Sequence, residues 1–275
     1  MAKRKKKKEK NLGKNEKRSR VKRYPLTIER QYQRELSRTI AGMHKIIKEE
    51  LLPELQNLTI LAKTENARFD DSAETLFRVL GDVKSKIATQ YPEELIESLA
   101  QRRGMEVSEY NLNTLRMQAK QVQGVDVLLS DRALQSKMTT FVRQNVNLIE
   151  TVHQSYFKDV QTIVSNGVSN GESVASMSQK ISKRTGVHQN RAKLIARDQT
   201  GKLNSDLNAS RQAELGVKKF VWETVGDERV RESHEDLNGR VFSYREGATV
   251  DGESGVLPGQ PINCRCIAQP VFEIR

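Results

Sequence analysis

The stretch LQSKMTTFVRQNVNLIETVHQSYFKDVQTI, residues 134–163, decides the fold class of this chain. Its larger apolar side chains are separated by threes, fours and one eight, a spacing that places them on one face of an α-helix. These side chains are Leu134, Met138, Phe141, Ile149, Val152, Tyr156, Val160 and Ile163. The pattern predicts a helix of about 35 residues or more, whose apolar face must pack against other elements.

Long helices are also predicted around this stretch. No proline occurs between Pro92 and Pro258, so long helices are permitted there. Between residues 24 and 109, apolar side chains recur at near-helical intervals, while Pro53 and Pro92 suit first turns or connectors. The recurring side chains are Ile28, Tyr32, Leu36, Ile40, Ile47 and Leu51. We therefore expect residues 24–171 to form a long helical body.

A C-terminal domain is predicted at residues 172–275. The pairs Asn166-Gly167 and Asn170-Gly171 end the long helix, and two further helices follow at 172–183 and 187–215, divided by Thr185-Gly186. After Gly216, a helix C-cap, the residues from Lys219 to Val225 alternate and include β-branched side chains, as in a strand. Short strand-like pieces, at 240–244 and 266–272, lie between turns. Residues 216–275 thus form a small, loop-rich α+β unit, and the fold class is α+β, mainly α.

Nearly all the net charge lies at the start of the chain. Residues 1–23 hold nine Lys, four Arg and two Glu, a net charge of +11 out of the +12 of the whole sequence. With few apolar side chains, this basic arm is predicted to be disordered in isolation. It suits loose, salt-sensitive contact with nucleic acid, although a terminal charge run also serves simply as a solubility tail. Its candidate phosphate-binding residues are Lys3, Arg4, Lys5, Lys6, Lys7, Lys8 and Lys10.

Composition excludes several protein classes. The sequence contains no apolar run of about 18 residues, and its lysine-rich start lacks the apolar segment of a secretory signal, so we expect neither membrane insertion nor Sec export. The two cysteines, Cys264 and Cys266, have one residue between them and leave little room for an unstrained mutual disulfide. They suit a reducing compartment, with thiols that are buried, free or shared by a metal.

Four motifs follow one another in the last fifty or so residues. They are Trp222 in a predicted strand, Asp-x-Arg-x-Arg-x-x-His from Asp227 to His234, Leu-x-Gly-x-x-Phe from Leu237 to Phe242, and Asn-Cys-Arg-Cys at 263–266. Gly239 belongs to the third motif, and Asn263 and Arg265 to the fourth. In this order they resemble the phage Mu F-like head-morphogenesis family, over roughly residues 172–274. The resemblance implies a virion protein present in few copies, associated with the portal vertex, and acting in head assembly or in holding DNA for delivery.

The charged residues of the second motif allow two interpretations. Asp227 suits a helix N-cap, with Arg229 and Arg231 on a short helix that follows, and carboxylate–guanidinium pairing would fix the geometry of a domain with little apolar mass. Alternatively, the same charges contact a partner or phosphate.

A structural zinc is a further candidate. His234, Cys264 and Cys266 offer three soft ligands, with Asp227 or a water as a fourth. Against this, an extended Cys264–Cys266 segment would place its two thiols on opposite faces, and Arg231 cannot bind a metal. The alternative is a pair of buried thiols beside a hydrogen-bonded histidine. The other histidines, His44, His153 and His188, occur singly in predicted helices and suit packing or surface positions.

The sequence favours an assembly protein over an enzyme. It has no phosphate-binding loop, dinucleotide-binding glycine pattern, metalloprotease motif or nucleophile elbow. The expected partners are the phage portal protein, a major capsid or scaffolding protein, and double-stranded DNA bound without sequence specificity. One alternative is a metal-dependent nuclease or toxin-like effector, with His234 as base and Asp227 or Glu235 as ligands. Another is an RNA- or ribosome-associated helical protein, which the lack of aromatic platforms disfavours.

Overall fold

The structure, a computed structural model, describes residues 12–64, 69–129, 134–228 and 230–274. Its helices are α1 (Leu26–Ile46), α2 (Leu52–Thr64), α3 (Phe69–Gln90), α4 (Glu93–Gln123), α5 (Leu134–Ser169), α6 (Val174–Glu214) and the short α7 (Glu232–Glu235), with a π-helical turn, Ile47–Leu51, before α2. Its strands are β1 (Glu16–Arg18), β2 (Lys219–Glu223), β3 (Val241–Ser243), β4 (Ala248–Val250), β5 (Glu253–Val256) and β6 (Ile267–Glu273). The predicted fold class, α+β and mainly α, is confirmed. Among the described helices, none is long and apolar enough to cross a membrane.

Helix α5 contains the whole stretch that predicted it. The central members of its apolar stripe are buried, while Leu134 and Ile163, near the two ends of the stripe, are partly buried. The helix ends where the glycine pairs predicted: Gly171 has a φ of +66°, and the Glu172 amide donates to the Gly167 carbonyl at 2.8 Å. A left-handed glycine of this kind is a common helix terminator.

Helix α6 is continuous, so the predicted break at Thr185-Gly186 is wrong. Thr185 is buried, and its hydroxyl donates to the Ile181 carbonyl at 2.9 Å within the helix. A helical glycine lowers stability by only about 1 kcal/mol relative to alanine. Burial of the neighbouring Ile181 and His188 offsets that amount, and the helix runs through the glycine.

The chain folds into two compact units, each assembled from separated segments. The first unit comprises residues 1–30, 101–142 and 197–275, and the second comprises 31–100 and 143–196. Four helices contain the points where the chain passes from one unit to the other. Our division of the sequence at residue 171 follows the helix ends rather than these units.

The second unit is a helical core. Its buried apolar side chains come from each of the helices α1 to α6 and from the π-helical turn, and they include Leu36, Ile40, Leu51, Val83, Ile87, Ile149, Val152, Val160 and Ile181. Several buried polar groups are paired inside it: the Tyr32 hydroxyl donates to Asn145 Oδ1 at 2.8 Å, and Thr39 Oγ1 lies 2.8 Å from His153 Nε2. Such pairing offsets the free-energy cost of burying polar atoms.

The first unit contains the sheet. Four antiparallel strands lie in the order β1-β6-β2-β3, and β4 pairs with β5 in a separate two-stranded sheet. Strand β6 is paired along its length with β2, from Lys219 opposite Val271 to Glu223 opposite Ile267. Beneath the sheet lies an apolar cluster that contains Phe220, Trp222, Leu237, Ala248, Val250, Val256, Cys264, Cys266 and Ala268.

The second half of the basic arm is ordered, contrary to the prediction of disorder over residues 1–23. Strand β1 adds to the open edge of β6, with Glu16 opposite Glu273 and Arg18 opposite Val271. Arg18 and Lys22 both pair with Glu223. An open sheet edge supplies backbone partners to a segment with little apolar surface, and composition alone does not reveal this. Residues 1–11, including Lys3, Arg4, Lys5, Lys6, Lys7, Lys8 and Lys10, lie outside the described residues.

Two adjacent residues of α5 test the predicted stripe. Ile149 is 1% exposed and Leu148 is 37% exposed. We expect Ile149→Ala to lower the free energy of unfolding by about 2–5 kcal/mol, because it leaves a cavity in a packed core. The matched Leu148→Ala variant should lower it by less than about 1 kcal/mol. Urea denaturation of both variants measures the difference, and equal losses would show that the stripe is not the packed face.

Candidate functional site

Three of the predicted site residues meet at one point in the first unit. His234 Nδ1 lies 3.4 Å from Cys264 Sγ and 3.5 Å from Cys266 Sγ. All three side chains are buried, and their ligand atoms lie within 4.8 Å of one another. We call these residues the Cys-His cluster. They are the only group of three or more potential metal ligands among the residues that the structure describes.

Helix α7 positions the histidine. This single turn of four residues begins after Arg231, whose carbonyl accepts the His234 amide at 3.0 Å. The imidazole packs edge-on against the Trp222 indole, with 5.5 Å between ring centroids. Trp222 is fully buried in the apolar cluster under the sheet. Helix α7 therefore directs His234 toward the cysteines, and the contact with the buried Trp222 ring fixes the orientation of the imidazole.

In an extended segment, the thiols of Cys264 and Cys266 would point to opposite faces and could not bind one metal ion. The structure shows that this segment is not extended. The strand β6 begins only at Ile267, and Asn263 has a φ of +61°. The Cys264 amide donates to the Pro261 carbonyl at 3.0 Å, and the Cys266 amide donates to Cys264 Sγ at 3.3 Å. This turn brings both sulphurs to the same nitrogen of His234. Alternation of side chains applies to strands and not to a turn.

Helix α6 holds this turn by close backbone contact. A Cβ on Gly201 would lie 2.7 Å from the Cys264 carbonyl oxygen, and one on Gly259 would lie 2.9 Å from the Gly201 carbonyl oxygen. In the same helix, Asp198 Oδ1 accepts a hydrogen bond from the backbone N–H of Asn263 at 3.1 Å. Asparagine tolerates the left-handed conformation better than most residues, which suits the turn at this position.

A buried ion-pair network fixes the residue between the two cysteines. Glu29 of α1 is fully buried and binds the Arg265 guanidinium through both carboxylate oxygens, at 2.5 and 2.9 Å. Arg197 of α6 lies 3.5 Å from the same carboxylate. The outer side of Arg265 donates to Asp227 at 2.8 Å. The paired carboxylate of Glu29 raises the pKa of Arg265 above its usual value, so the guanidinium stays charged.

The charged motif that begins at Asp227 is arranged differently from the prediction. Asp227 does not cap the short helix, because α7 starts only at Glu232, and the N-cap position belongs to Arg231. Asp227 pairs with Arg265 instead. Arg231 donates to the Ile262 carbonyl at 2.9 Å and so ties α7 to the cysteine turn. Arg229 lies outside the described residues.

The remaining motif residue closes the turn after α7. Gly239 has a φ of +78°, and its amide donates to the Trp222 carbonyl at 2.8 Å. The Trp222 amide in turn donates to the Arg240 carbonyl at 2.9 Å. The tryptophan is thus held by its backbone as well as by its ring. A side chain at Gly239 would be strained by the positive φ.

The Cys-His cluster opens onto a cavity of about 270 Å³. Its lining contains charged residues that flank the three ligands: Arg197, Asp227, Arg231 and Arg265. The cavity lies entirely within the first unit. The lining thus combines three guanidinium groups with one carboxylate, and a site of this kind suits a small polar occupant.

The two thiols of the cluster differ in acidity. The pKa of Cys264 is lowered, first because Cys266 donates a hydrogen bond to its sulphur and further because of His234. The pKa of Cys266 is raised by the same contact with Cys264 and by burial. The contact between the two sulphurs thus makes Cys264 the more acidic thiol of the pair.

Residues far from the motifs also build the site, and the sequence did not identify them. Glu29, Asp198 and Gly201 contact the segment between Gly259 and Arg265, and Arg197 pairs with Glu29. Glu29 lies in a predicted helix with many charged residues, and the sequence pattern does not distinguish this buried carboxylate from the exposed ones. The spacing of Arg197, Asp198 and Gly201 places them on one helical face, but nothing in the sequence says what that face contacts.

Comparison with known proteins finds a family that is similar to part of the chain. Residues 158–269 match the family model described as Phage Mu protein F like protein. This part of the chain is similar to phage Mu protein F like proteins. The resemblance drawn from Trp222, the motif from Asp227 to His234 and the Asn-Cys-Arg-Cys turn is thereby confirmed. The match includes the Cys-His cluster, the whole of α6 and, in the four-stranded sheet, β2, β3 and the start of β6.

Two curated relatives are similar to parts of the chain. An uncharacterised protein of Haemophilus influenzae is 29% identical over 205 residues, which are 74% of this chain and 44% of the relative. An uncharacterised protein of Methanocaldococcus jannaschii is 28% identical over 123 residues, 44% of this chain and 18% of the relative. This chain thus covers less than half the length of either relative. No solved structure gives a significant match.

Substitution of Gly201 tests the close contact between α6 and the cysteine turn. We expect Gly201→Ala to lower the free energy of unfolding by about 1–3 kcal/mol, because the new methyl group overlaps the Cys264 carbonyl. Gly186 of the same helix is a matched control, since a Cβ there meets nothing within 4 Å. Gly186→Ala should raise stability by about 0.5–1 kcal/mol. If chemical denaturation shows the same gain for both variants, the close contact is absent.

Proposed function

We propose that this protein is a minor head protein of a tailed bacteriophage, and that it acts in head morphogenesis as an internal, portal-associated component of the virion. The match of residues 158–269 to phage Mu protein F like proteins carries this proposal. The proposed role is structural rather than catalytic. It is supported by the use of the charged motif residues, since Asp227, Arg231 and Arg265 all pair within the protein.

The nuclease alternative receives no support from the arrangement of its residues. A hydrolytic two-metal site requires several convergent carboxylates. Asp227 instead pairs with Arg265, and Glu235 accepts a hydrogen bond from Thr224 at 3.2 Å. His234 is 3% exposed and directs Nδ1 toward the two thiols. We therefore assign these residues to the architecture of the region.

The proposed partners fall into two groups. The helical part of the chain would dock on the portal protein and on the major capsid or scaffolding protein inside the shell. Residues 1–11 would contact the packaged DNA, because six lysines and one arginine among them attract phosphate without reading bases. The pairing of β1 with β6 supports this division, since it anchors the root of the arm at a sheet edge. The expected location is the virion interior, after assembly in the host cytoplasm.

Mass spectrometry of gradient-purified heads tests the assignment to the virion. We expect the protein to co-sediment with portal and major capsid proteins, at a copy number far below that of the capsid protein. Particles assembled without portal should contain much less of it, because the proposed docking site is the portal vertex. A protein that remains wholly in the soluble lysate while heads lack it would overturn the proposal.

Salt dependence of DNA binding tests the arm separately. Each phosphate contact contributes a slope of about −0.9 to the logarithm of affinity against the logarithm of salt concentration. With Lys3, Lys5, Lys6, Lys7, Lys8 and Lys10 replaced by glutamine, the slope should become less steep by up to about five. Replacement of the same six residues by arginine keeps the charge and should preserve the slope. Fluorescence anisotropy on duplex DNA measures it, and an unchanged slope in the glutamine variant would assign the arm another role.

A further inference from the structure

We propose that His234 Nδ1, Cys264 Sγ and Cys266 Sγ bind one zinc ion, and that the fourth coordination position of the ion opens onto the adjacent cavity. The proposal concerns a metal site of the folded first unit and does not depend on the role in head assembly. It depends on four features of the site: the distances, the hydrogen-bonding capacity of the imidazole, the charge, and the lining of the cavity.

The distances already fit a tetrahedral ion. Zinc binds cysteine sulphur at about 2.3 Å and histidine nitrogen at about 2.0–2.1 Å, and at a tetrahedral angle these bonds place sulphur and nitrogen about 3.6 Å apart. The observed separations of His234 Nδ1 from the two sulphurs are 3.4 and 3.5 Å. An ion would therefore fit with only small movements of the side chains.

Hydrogen bonding alone does not explain the convergence of both sulphurs on one nitrogen. In a neutral imidazole, Nδ1 has either one lone pair or one hydrogen, so it makes one good hydrogen bond at a time. Two buried sulphurs nevertheless lie at nearly the same distance from it. The other ring nitrogen, Nε2, is buried without a hydrogen-bond partner in the described structure, which disfavours a charged ring. A neutral ring that donates its Nδ1 lone pair to a cation between the sulphurs satisfies all three groups.

The charges also balance around a divalent ion. Two thiolates and one zinc ion are neutral together, whereas two thiolates alone would repel each other in a buried site. The Cys266 amide donates to Cys264 Sγ at 3.3 Å and stabilises the thiolate form of that ligand. The nearby Arg265 is already neutralised by Glu29 and Asp227, so it does not compete for the sulphurs.

The fourth position is left to solvent or to an anion. No other described histidine, cysteine, aspartate or glutamate joins the three ligands. The ligands line the cavity of about 270 Å³ together with Arg197 and Arg231. Structural zinc sites are usually closed by four protein ligands, whereas three protein ligands plus water characterise sites with an exchangeable position. We expect a water or hydroxide there, replaceable by a small anion or thiol.

The ion would also stabilise the fold. It would join α7 to the turn between Pro261 and Cys266, two segments of a loop-rich unit that are otherwise connected by the Arg231 contact with Ile262. Because a site of this kind is absent from the unfolded chain, binding free energy adds to folding stability. Removal of the metal should therefore lower the melting temperature of the full-length protein.

Metal analysis of the full-length protein is the first test. After zinc loading and desalting, we expect inductively coupled plasma mass spectrometry to find about one zinc per chain. The three coordinating side chains form one site, so they bind one ion. Cys264→Ser, Cys266→Ser and His234→Ala should each reduce the zinc content at least about tenfold, because two protein ligands are fewer than a zinc site normally has. His44→Ala is the control, because His44 belongs to the second unit and should leave the zinc content unchanged. Wild-type protein without bound zinc, or ligand variants that retain it, would overturn the proposal.

Cobalt substitution tests both the ligands and the open position, and it needs only the wild-type protein. Cobalt in this site should give thiolate charge-transfer bands and the intense visible bands of tetrahedral geometry. Added azide or a small thiol should shift the visible bands, because it replaces solvent at the fourth position. Absence of the charge-transfer bands would exclude the cysteine ligands. A cobalt spectrum that no added ligand changes would show a closed site and overturn the open fourth position.

Discussion

The fully buried carboxylate of Glu29 is the constraint on which the C-terminal site depends. An ion in a protein interior loses several kcal/mol of solvation, and only close partners offset this loss. Arg265 supplies two hydrogen bonds to it, and Arg197 lies 3.5 Å away. The carboxylate thereby fixes the residue between the two cysteines against helices from distant parts of the chain. Loss of Arg265 would leave the carboxylate with only the weaker Arg197 contact and would release the turn.

The parts of the fold that depend on local periodicity could be predicted from the sequence. The stripe on α5 and the presence of a strand at β2 each follow from the side-chain pattern, and Gly171 and Gly216 mark helix ends with positive φ. The alternation that predicted β2 does not describe its burial, since Phe220 to Glu223 are all buried. The parts that depend on distant contacts could not be predicted. Strand β1 forms because β6 offers an open edge, and α6 continues through Gly186 because its buried neighbours stabilise the helix.

The candidate site divides in the same way. Motif order identified His234, Cys264, Cys266 and Arg265 as residues of one region, but it could not decide whether the thiols meet. That answer depends on the left-handed turn at Asn263 and on the close approach of Gly201. The partner of Arg265 is 236 residues away in sequence. The motif residues thus form a turn, its anchor Arg265 and a cluster of three side chains of the types that bind metals, which the proposed zinc site would use.

A double-mutant cycle between Glu29 and Arg265 tests this account most directly. The account predicts that Glu29→Gln and Arg265→Gln each lower the free energy of unfolding by about 3–5 kcal/mol, because each removes the main partner of a buried charge. The double variant should be more stable than the sum of the single losses predicts, by at least about 1–2 kcal/mol. Losses that add to within about 0.5 kcal/mol would show that the two residues act independently, and would contradict the central role assigned to this pair.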